Sequence, residues 1–173
     1  LRLETEMSVS DDDARDHMVA DIEQLDAIID KFLDYARPGH AKLNPVSLNE
    51  VLESSLYAVL EYEDMRIQRN VDESLIVLAD EVELGRVIAN LLENARRYGK
   101  SPDTGIANVD IVAKAHDDWV LLKVRDHGQG VNPEQLSSLS KPFFRGDTAR
   151  TEATGAGLGL SIVDKAIQRM GGE

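Results

Sequence analysis

The chain lacks cysteine and is poor in aromatic residues and in positive charge. Its 173 residues include no Cys, 1 Trp, 4 Tyr and 3 Phe. Disulfides, thiolate metal ligands and cysteine nucleophiles are therefore excluded. Lysine and arginine number 19 against 32 aspartates and glutamates, a net charge of −13. This disfavours a nucleic-acid binder, because such proteins cluster cations against phosphate backbones. An acidic chain that binds phosphate must do so locally, through backbone amides, a metal ion or a few placed cations.

Other absences narrow the class of protein further. The sequence has no apolar run near the ~18 residues typical of a membrane-spanning helix. Its four histidines, which are His17, His40, His116 and His127, are not spaced like zinc ligands. The hydrophobic fraction of 42% is mostly aliphatic and is sufficient for a folded core. We therefore expect an intracellular protein with one ordinary domain and a small helical element.

Residues 18–36 have the apolar spacing of a helix that packs in a coiled coil or a four-helix bundle. The apolar positions follow at steps of four and three residues: Met18, Ile22, Leu25, Ile29, Phe32 and Ala36. Pro38 ends the helix, because proline cannot continue the hydrogen-bond ladder. One helix cannot bury such a seam alone, so we predict a homodimer through residues 15–37. A hairpin that packs on its own domain is the alternative.

The rest of the chain alternates helical and strand-like patterns. Ser47 and Glu50 have capping-box spacing and predict a helix to about Tyr62, and Asp80 and Glu83 have the same spacing. The other predicted elements are a helix over 80–98, strands over 67–71, 75–79, 109–115 and 119–124, and a helix over about 158–170. Helices against an antiparallel or mixed sheet make an α+β fold, here a two-layer sandwich.

Three polar side chains form one stripe on the helix that ends at Tyr98. Asn90, Asn94 and Arg97 are spaced i, i+4 and i+7. Asparagine is an indifferent helix former, so two on one side of a helix suggest a role other than folding. An amide oxygen is a suitable ligand for Mg²⁺, which binds phosphates at the same time. A plain solvated stripe is the alternative.

A glycine-containing turn follows the last predicted strand. Asp126 lies at the strand end, and Gly128 and Gly130 follow at alternate positions. Two such glycines permit a tight turn and let the backbone approach a ligand closely. A buried carboxylate at this place can accept a hydrogen bond from an adenine amine. An ordinary turn is the alternative.

A second glycine motif runs into the last predicted helix. Gly155, Gly157 and Gly159 alternate with other residues between Thr154 and Ser161. Backbone N–H groups exposed at the start of a helix form a phosphate cradle. The motif is neither a P-loop nor a dinucleotide fingerprint, since no strand directly precedes it. A flexible hinge is the alternative.

An aromatic loop lies between the two glycine motifs. Phe143 and Phe144 are two of only 3 phenylalanines, so we expect their burial to anchor the loop. Arg145 and Arg150 can face phosphate oxygens, and a solvated surface role is the alternative for either. The polar stretch 132–154 is long for a structureless connection, which favours a functional lid.

The order of these four motifs resembles the catalytic ATP-binding domain of bacterial sensor histidine kinases. That domain has N, G1, F and G2 boxes in this order and belongs to the superfamily of gyrase B, MutL and the heat-shock chaperone ATPases. The resemblance implies a Bergerat-type α/β sandwich at 41–173. Residues 1–40 resemble the C-terminal part of a helical dimerisation and phosphotransfer hairpin, which forms a dimeric four-helix bundle. Residues 94–99 and 144–150 are particularly similar to those of EnvZ and its relatives.

The resemblance also implies roles for individual residues. Asn94 would ligate Mg²⁺ between the ATP phosphates, with Asn90 beside it. Tyr98 would lie over the adenine ring, and Asp126 would accept a hydrogen bond from the adenine amine. The other cofactor-binding residues implied are Arg97, Gly128, Gly130, Phe143, Phe144, Arg145, Arg150, Thr154, Gly155, Gly157, Leu158 and Gly159.

The residue one helical turn before the metal-binding asparagine separates reaction classes in this superfamily. ATPases of the superfamily carry a glutamate there that orients water, whereas this chain has Asn90, which offers no base. The expected function is transfer of the ATP γ-phosphate to a hairpin histidine and then to a response-regulator aspartate. The alternatives are an ATP hydrolase or serine kinase of the same superfamily, and a nucleotide-binding or dimerisation module without activity.

Both ends of the family pattern fall outside this sequence. The motif of the acceptor histidine would end just before Leu1, and the family adds two strands after the position of Glu173. We therefore expect this fragment to be inactive alone. We expect it to be the cytoplasmic portion of a sensor anchored in the bacterial inner membrane.

Overall fold

The computed structural model describes residues 12–36, 41–145 and 156–173, which form four helices, five strands and one short 3-10 helix. The helices are α1 (Asp12–Ala36), α2 (Leu48–Tyr57), α3 (Glu81–Tyr98) and α4 (Gly159–Arg169). The strands are β1 (Asn44–Ser47), β2 (Met65–Val71), β3 (Ile76–Ala79), β4 (Ala107–His116) and β5 (Trp119–Asp126), and the 3-10 helix spans Pro133–Ser138. The predicted helix end at Pro38 and the first arm of the predicted hairpin lie outside the described residues.

Strands β2, β4 and β5 form a mixed sheet in that spatial order. β4 and β5 are antiparallel and are joined by a two-residue turn, in which Asp117 has a φ of 51°. Aspartate tolerates this left-handed conformation better than most residues. β2 runs parallel to β4, and the crossover between them contains β3 and α3. Strands β1 and β3 pair in a separate antiparallel ribbon. The prediction of an α+β fold with a mixed sheet is confirmed.

The hydrophobic core lies between one face of this sheet and helices α2 and α3. Successive side chains of a strand point to opposite faces. β4 accordingly buries every second residue, and Val109, Ile111 and Ala113 are each 1% exposed. Leu48 and Leu52 of α2 are equally buried on the helical side. The strand periodicity therefore fixes which face of the sheet is covered.

Helix α3 begins at a side-chain cap and presents a wide apolar arc to its neighbours. Asp80 accepts hydrogen bonds from the backbone N–H groups of Val82 and Glu83, each at 3.1 Å, as its capping spacing predicts. The apolar residues that α3 buries are Leu84, Val87, Ile88, Leu92 and Ala95. Leu91 is only partly buried and Leu92 is fully buried. The buried arc is wide because α2, α4 and β4 all contact this helix.

The segment after α2 folds back on the end of α3. α2 ends at Tyr57, so the prediction of a helix to about Tyr62 is wrong. The ring of Tyr62 lies 3.6 Å from the Arg96 guanidinium, and Asp64 pairs with Arg96 at 2.8 Å and with Lys100 at 2.6 Å. These contacts require a chain reversal that a continuing helix cannot supply.

Helix α1 is 25 residues long and leaves its apolar seam uncovered within the described chain. Leu25, Ile29 and Phe32 are 58%, 53% and 48% exposed. The last two turns of α1 contact α3 and α4 through polar side chains. No helix in the described ranges combines the length and the apolarity needed to cross a membrane.

Candidate functional site

The amides of Asn90 and Asn94 meet the first residue of α4. A Cβ atom added to Gly159 would lie 3.3 Å from both amide atoms of Asn94 and 3.5 Å from Oδ1 of Asn90. Asn90 is 8% exposed, and its Nδ2 donates to the carbonyl of Arg86 at 2.8 Å. Nδ2 of Asn94 is buried and has no hydrogen-bond partner among the described residues. A buried amide without a partner is costly, so this group is available to a ligand.

The N-terminus of α4 points its backbone at these amides without a side-chain cap. Leu158 occupies the cap position, where no side chain of the described residues accepts a hydrogen bond from the helix. The buried hydroxyl of Ser161 donates to the Leu158 carbonyl at 2.8 Å and does not serve as a cap. The first N–H groups of a helix normally need an acceptor, and together with the helix dipole they favour an anion.

Gly157 holds the start of α4 against the aromatic loop. Its φ is +66°, and an added Cβ would lie 2.8 Å from the carbonyl oxygen of Phe144. The carbonyl of Gly157 accepts a hydrogen bond from the backbone N–H of Phe143 at 2.9 Å. Both its backbone conformation and this close approach therefore require glycine.

The burial predicted for Phe143 is wrong. Phe143 is 60% exposed and has a φ of 62°, which is uncommon for a residue other than glycine. Its backbone N–H, rather than its ring, attaches the loop to Gly157. Phe144 and Arg145 are partly buried. The predicted residues Arg150, Thr154 and Gly155 lie outside the described residues.

The turn after β5 packs on the C-terminal end of α3 through two glycines. A Cβ on Gly99 would lie 2.5 Å from Cβ of Asp126, and one on Gly128 would lie 2.8 Å from the carbonyl oxygen of Tyr98. These contacts bring the predicted adenine-side residues Asp126 and Tyr98 together. Gly130 has a φ of +75° and nothing near its missing side chain.

Asp126 is exposed in this chain, whereas the sequence suggested a buried carboxylate. Its Oδ1 accepts the backbone N–H of Gly128 at 3.0 Å, so the carboxylate closes its own turn at the surface. Gly99 was not among the predicted site residues, because a glycine directly after a helix is usually read as a helix terminator. Its contact with Asp126 makes it part of the site.

Arg97 lies on the side of α3 next to Asn94 and pairs with Glu93. Nη2 of Arg97 is 2.6 Å from Oε1 of Glu93, an i,i+4 pair that the spacing of a helix brings together. Oε2 of Glu93 is 2.5 Å from Nζ of Lys31 on α1. The structure therefore brings Asn90, Asn94 and Gly159 together at the start of α4. Arg97 lies one turn further along α3, and Tyr98 and Asp126 meet at the C-terminal end of that helix.

Ion pairs connect both ends of α3 to neighbouring elements. Hydrogen bonds from Arg96 and Lys100 lower the pKa of Asp64 from 3.8 to about 2, and the same pairing raises the pKa of Arg96. At the other end, Glu83 is 8% exposed and binds Arg86 at 2.8 Å and Arg169 at 2.6 Å. These pairs fasten α3 to the α2–β2 connection and to α4.

Known proteins of one family match this arrangement. Residues 79–173, more than half of the chain, match the family described as histidine kinase-, DNA gyrase B-, and HSP90-like ATPase. The sensor histidine kinase ZraS of Salmonella typhimurium is 29% identical over 161 residues, which is 90% of this chain and 32% of that protein. The chain thus spans about a third of the length of this relative.

Two solved structures have the same fold. The mycobacterial sensor histidine kinase MprB is 31% identical with a TM-score of 0.65, over 74% of this chain and 82% of its own. Full-length ShkA, solved in complex with AMPPNP, is 25% identical with a TM-score of 0.74, over 96% of this chain and 36% of its own. The particular likeness to EnvZ stays a prediction. The matched residues and the fold show that the chain belongs to the family of histidine kinase-, DNA gyrase B- and HSP90-like ATPases and, within it, to the bacterial sensor histidine kinases.

Proposed function

We propose that this chain is the ATP-binding catalytic portion of a sensor histidine kinase, which transfers the ATP γ-phosphate to a histidine of its dimerisation hairpin. Among the described residues, the N-terminus of α4 has no side-chain cap and Nδ2 of Asn94 has no hydrogen-bond partner, and these two neighbouring groups carry the proposal. An anion at that place satisfies both groups at once. AMPPNP, an ATP analogue, is the ligand in the ShkA structure.

Asn94 is the residue we propose to hold Mg²⁺. Its amide oxygen Oδ1 would be the metal ligand, and its Nδ2, which has no partner within the described chain, would donate to a phosphate oxygen. The absence of a Cβ on Gly159 leaves space beside both atoms. A hard cation that keeps waters and phosphate oxygens in its shell needs only one or two protein ligands. The metal would neutralise phosphate charge, while Arg97 and the α4 backbone hold the phosphates and Tyr98 and Asp126 hold the adenine.

The carboxylates on this face of α3 favour transfer to a protein over hydrolysis. Hydrolysis needs a base or a water-orienting group near the γ-phosphate. Glu83 is bound by Arg86 and Arg169, and Glu93 by Lys31 and Arg97. Asn90 stands one turn before Asn94 and has no basic group. With both carboxylates neutralised by cations, positioning of a separate nucleophile is the better-supported chemistry.

We further propose that α1 forms a homodimer and that a response-regulator receiver domain accepts the phosphoryl group. The exposed seam of α1 supports the first point, because four large apolar side chains on it are more than 40% exposed: Met18, Leu25, Ile29 and Phe32. The second point, and an anchor in the bacterial inner membrane, rest on the resemblance to sensor kinases.

Isothermal titration with an ATP analogue and Mg²⁺ tests the binding proposal. Asn94→Ala should weaken Mg²⁺-dependent binding about ten- to hundredfold, the size of one lost charge-assisted contact of about 1.5–3 kcal/mol. Asn70→Ala is the matched control, because Asn70 is exposed on β2, away from the site. Equal affinity of the two variants would contradict the metal assignment.

Radiolabelled ATP tests the reaction class. The chain alone should neither label itself nor release phosphate, and it should label an added dimerisation hairpin that carries the acceptor histidine. The label should be acid-labile and base-stable, as phosphohistidine is. Steady phosphate release would favour the hydrolase, and label on His17 or His127 would show that the acceptor is misassigned. A chain that carries the whole dimerisation hairpin and binds ATP but labels no histidine would refute the kinase.

A further inference from the structure

Opposite charges attach the end of α1 to α3 and α4. Lys31 pairs with Glu93 of α3. Oδ1 of Asp34 lies 3.5 Å from Nε of Arg86, which precedes Glu93 by two helical turns on α3. The order of these contacts shows that α1 runs antiparallel to α3. Nζ of Lys165 on α4 donates to the carbonyl of Tyr35 at 3.1 Å and lies 3.8 Å from its ring. The docked helix is therefore held at three places.

Glu93 is the one carboxylate in this set that also contacts a proposed phosphate-binding residue. Its Oε2 faces Lys31 and its Oε1 faces Arg97. Arg97 follows Asn94 by three residues, so their side chains leave the helix about 60° apart. The side chains of Lys31, Glu93 and Arg97 are 29%, 36% and 36% exposed, so water weakens the pairs without abolishing them.

The net charge of Lys31, Glu93 and Arg97 at this place changes when α1 leaves α3. With α1 docked, Lys31, Glu93 and Arg97 together carry a charge of about +1. Without Lys31, Glu93 and Arg97 cancel, and the carboxylate binds Arg97 alone. A nucleoside triphosphate with Mg²⁺ is still an anion, so its affinity depends on which of these states it meets.

We propose that Glu93 is a positioning residue that orients Arg97 and couples docking of α1, through Lys31, to nucleotide affinity. The inference rests on the proposed function, because it takes the ligand beside Arg97 to be the nucleotide phosphates. Lys31 on Oε2 offsets the Glu93 charge that would otherwise cancel that of Arg97, while Oε1 of Glu93 holds the guanidinium in place. Docking of α1 and binding of nucleotide then favour each other, and by linkage each raises the affinity of the other.

A double-mutant cycle on the full chain tests the coupling. Lys31→Met should weaken binding of the Mg²⁺–ATP analogue about two- to fivefold, the size typical of one partly exposed pair. In the Glu93→Gln background, the same substitution should change the affinity by less than the error of the titration. Lys31→Arg should restore the affinity, and the effect of Lys31→Met should shrink as salt is raised, since salt screens exposed charges.

Lys114→Met is the matched control. It removes an exposed lysine of β4 that belongs to none of the three contacts that hold α1, so it should not reproduce the loss. An unchanged affinity in Lys31→Met, an equal loss in Lys114→Met, or a loss that persists with Gln at position 93 would each overturn the inference. Thermal unfolding of every variant separates a fold defect from a binding effect. If the unmodified chain binds no nucleotide, the proposed function fails instead, which is a distinguishable result.

Discussion

A single methyl group at Gly159 should separate nucleotide binding from stability. An alanine Cβ there would lie 3.3 Å from both amide atoms of Asn94, closer than the ordinary contact of about 3.5–4.0 Å. The Asn94 side chain must then shift by a few tenths of an ångström toward the space proposed for the ligand. Gly159 is the first helical residue of α4 and lacks a positive φ, so alanine should raise stability by as much as about 0.5–1 kcal/mol.

We therefore expect Gly159→Ala to bind the Mg²⁺–ATP analogue about tenfold more weakly, a cost of about 1.4 kcal/mol, while its unfolding midpoint is equal or higher. Titration calorimetry and urea unfolding measure the two effects. Gly85→Ala is the control, because Gly85 lies inside α3 and its Cβ would make an ordinary contact at 3.8 Å with Val51 of α2. It should gain stability without losing affinity. Unchanged affinity in Gly159→Ala would refute the assignment of the Asn94 amide to the ligand side of α4.

Two further predictions concern stability and assembly. Because the pKa of Asp64 falls from 3.8 to about 2 on folding, its pairing stabilises the fold above pH 4 and the effect is lost as the pH falls toward 2. Asp64→Asn should cost about 1 kcal/mol in urea unfolding at pH 7 after allowance for solvent screening, and an equal cost at pH 2 would contradict this cause. Ile22→Asp with Ile29→Asp should convert the dimer of a chain that carries the whole hairpin to monomer in sedimentation, whereas a surviving dimer would show that the α1 seam lies elsewhere.

Local patterns predicted the elements that local interactions stabilise. α3 is specified by the Asp80 cap and by an apolar repeat that runs to Ala95. β4 and β5 are specified by alternation and by a short polar turn at Asp117. In both cases the residues that decide the structure are neighbours along the chain, so a window of a few residues contains the necessary information.

Local sequence patterns did not predict the elements that depend on contacts between distant residues. β1 has four residues, one of them Pro45, and it forms only because β3 lies beside it. α2 was predicted too long because the partners of Tyr62 and Asp64 lie about 30 residues further along, on Arg96. Phe143 was expected to be buried because aromatics usually are, yet the fold uses its backbone and leaves its ring in solvent.

The candidate site likewise has residues that local patterns predict and contacts that they do not predict. Its glycines and asparagines were predicted from type and order, since few other residues suit a close backbone approach or a neutral metal ligand. The pairings of Glu93 were not predicted, although the i,i+4 spacing indicates the pair with Arg97. The second partner, Lys31, is 62 residues away on a different helix, so no local pattern predicts that pair.

The net charge of −13 disfavours a site for a polyanion, and the ion pairs resolve the difficulty. The field at a partly buried site is set by charges within a Debye length of about 8–10 Å, because salt screens the remainder. Along α3 each carboxylate that faces this region is matched: Glu83 by Arg86 and Arg169, and Glu93 by Lys31 and Arg97. The excess acidic residues lie elsewhere, many of them on the exposed side of α1. The local surroundings of Asn94 are thus neutral to positive in a strongly acidic chain, and the dipole of α4 adds to this. An anion can therefore be bound here while the rest of the surface repels it, which confines phosphate binding to one place.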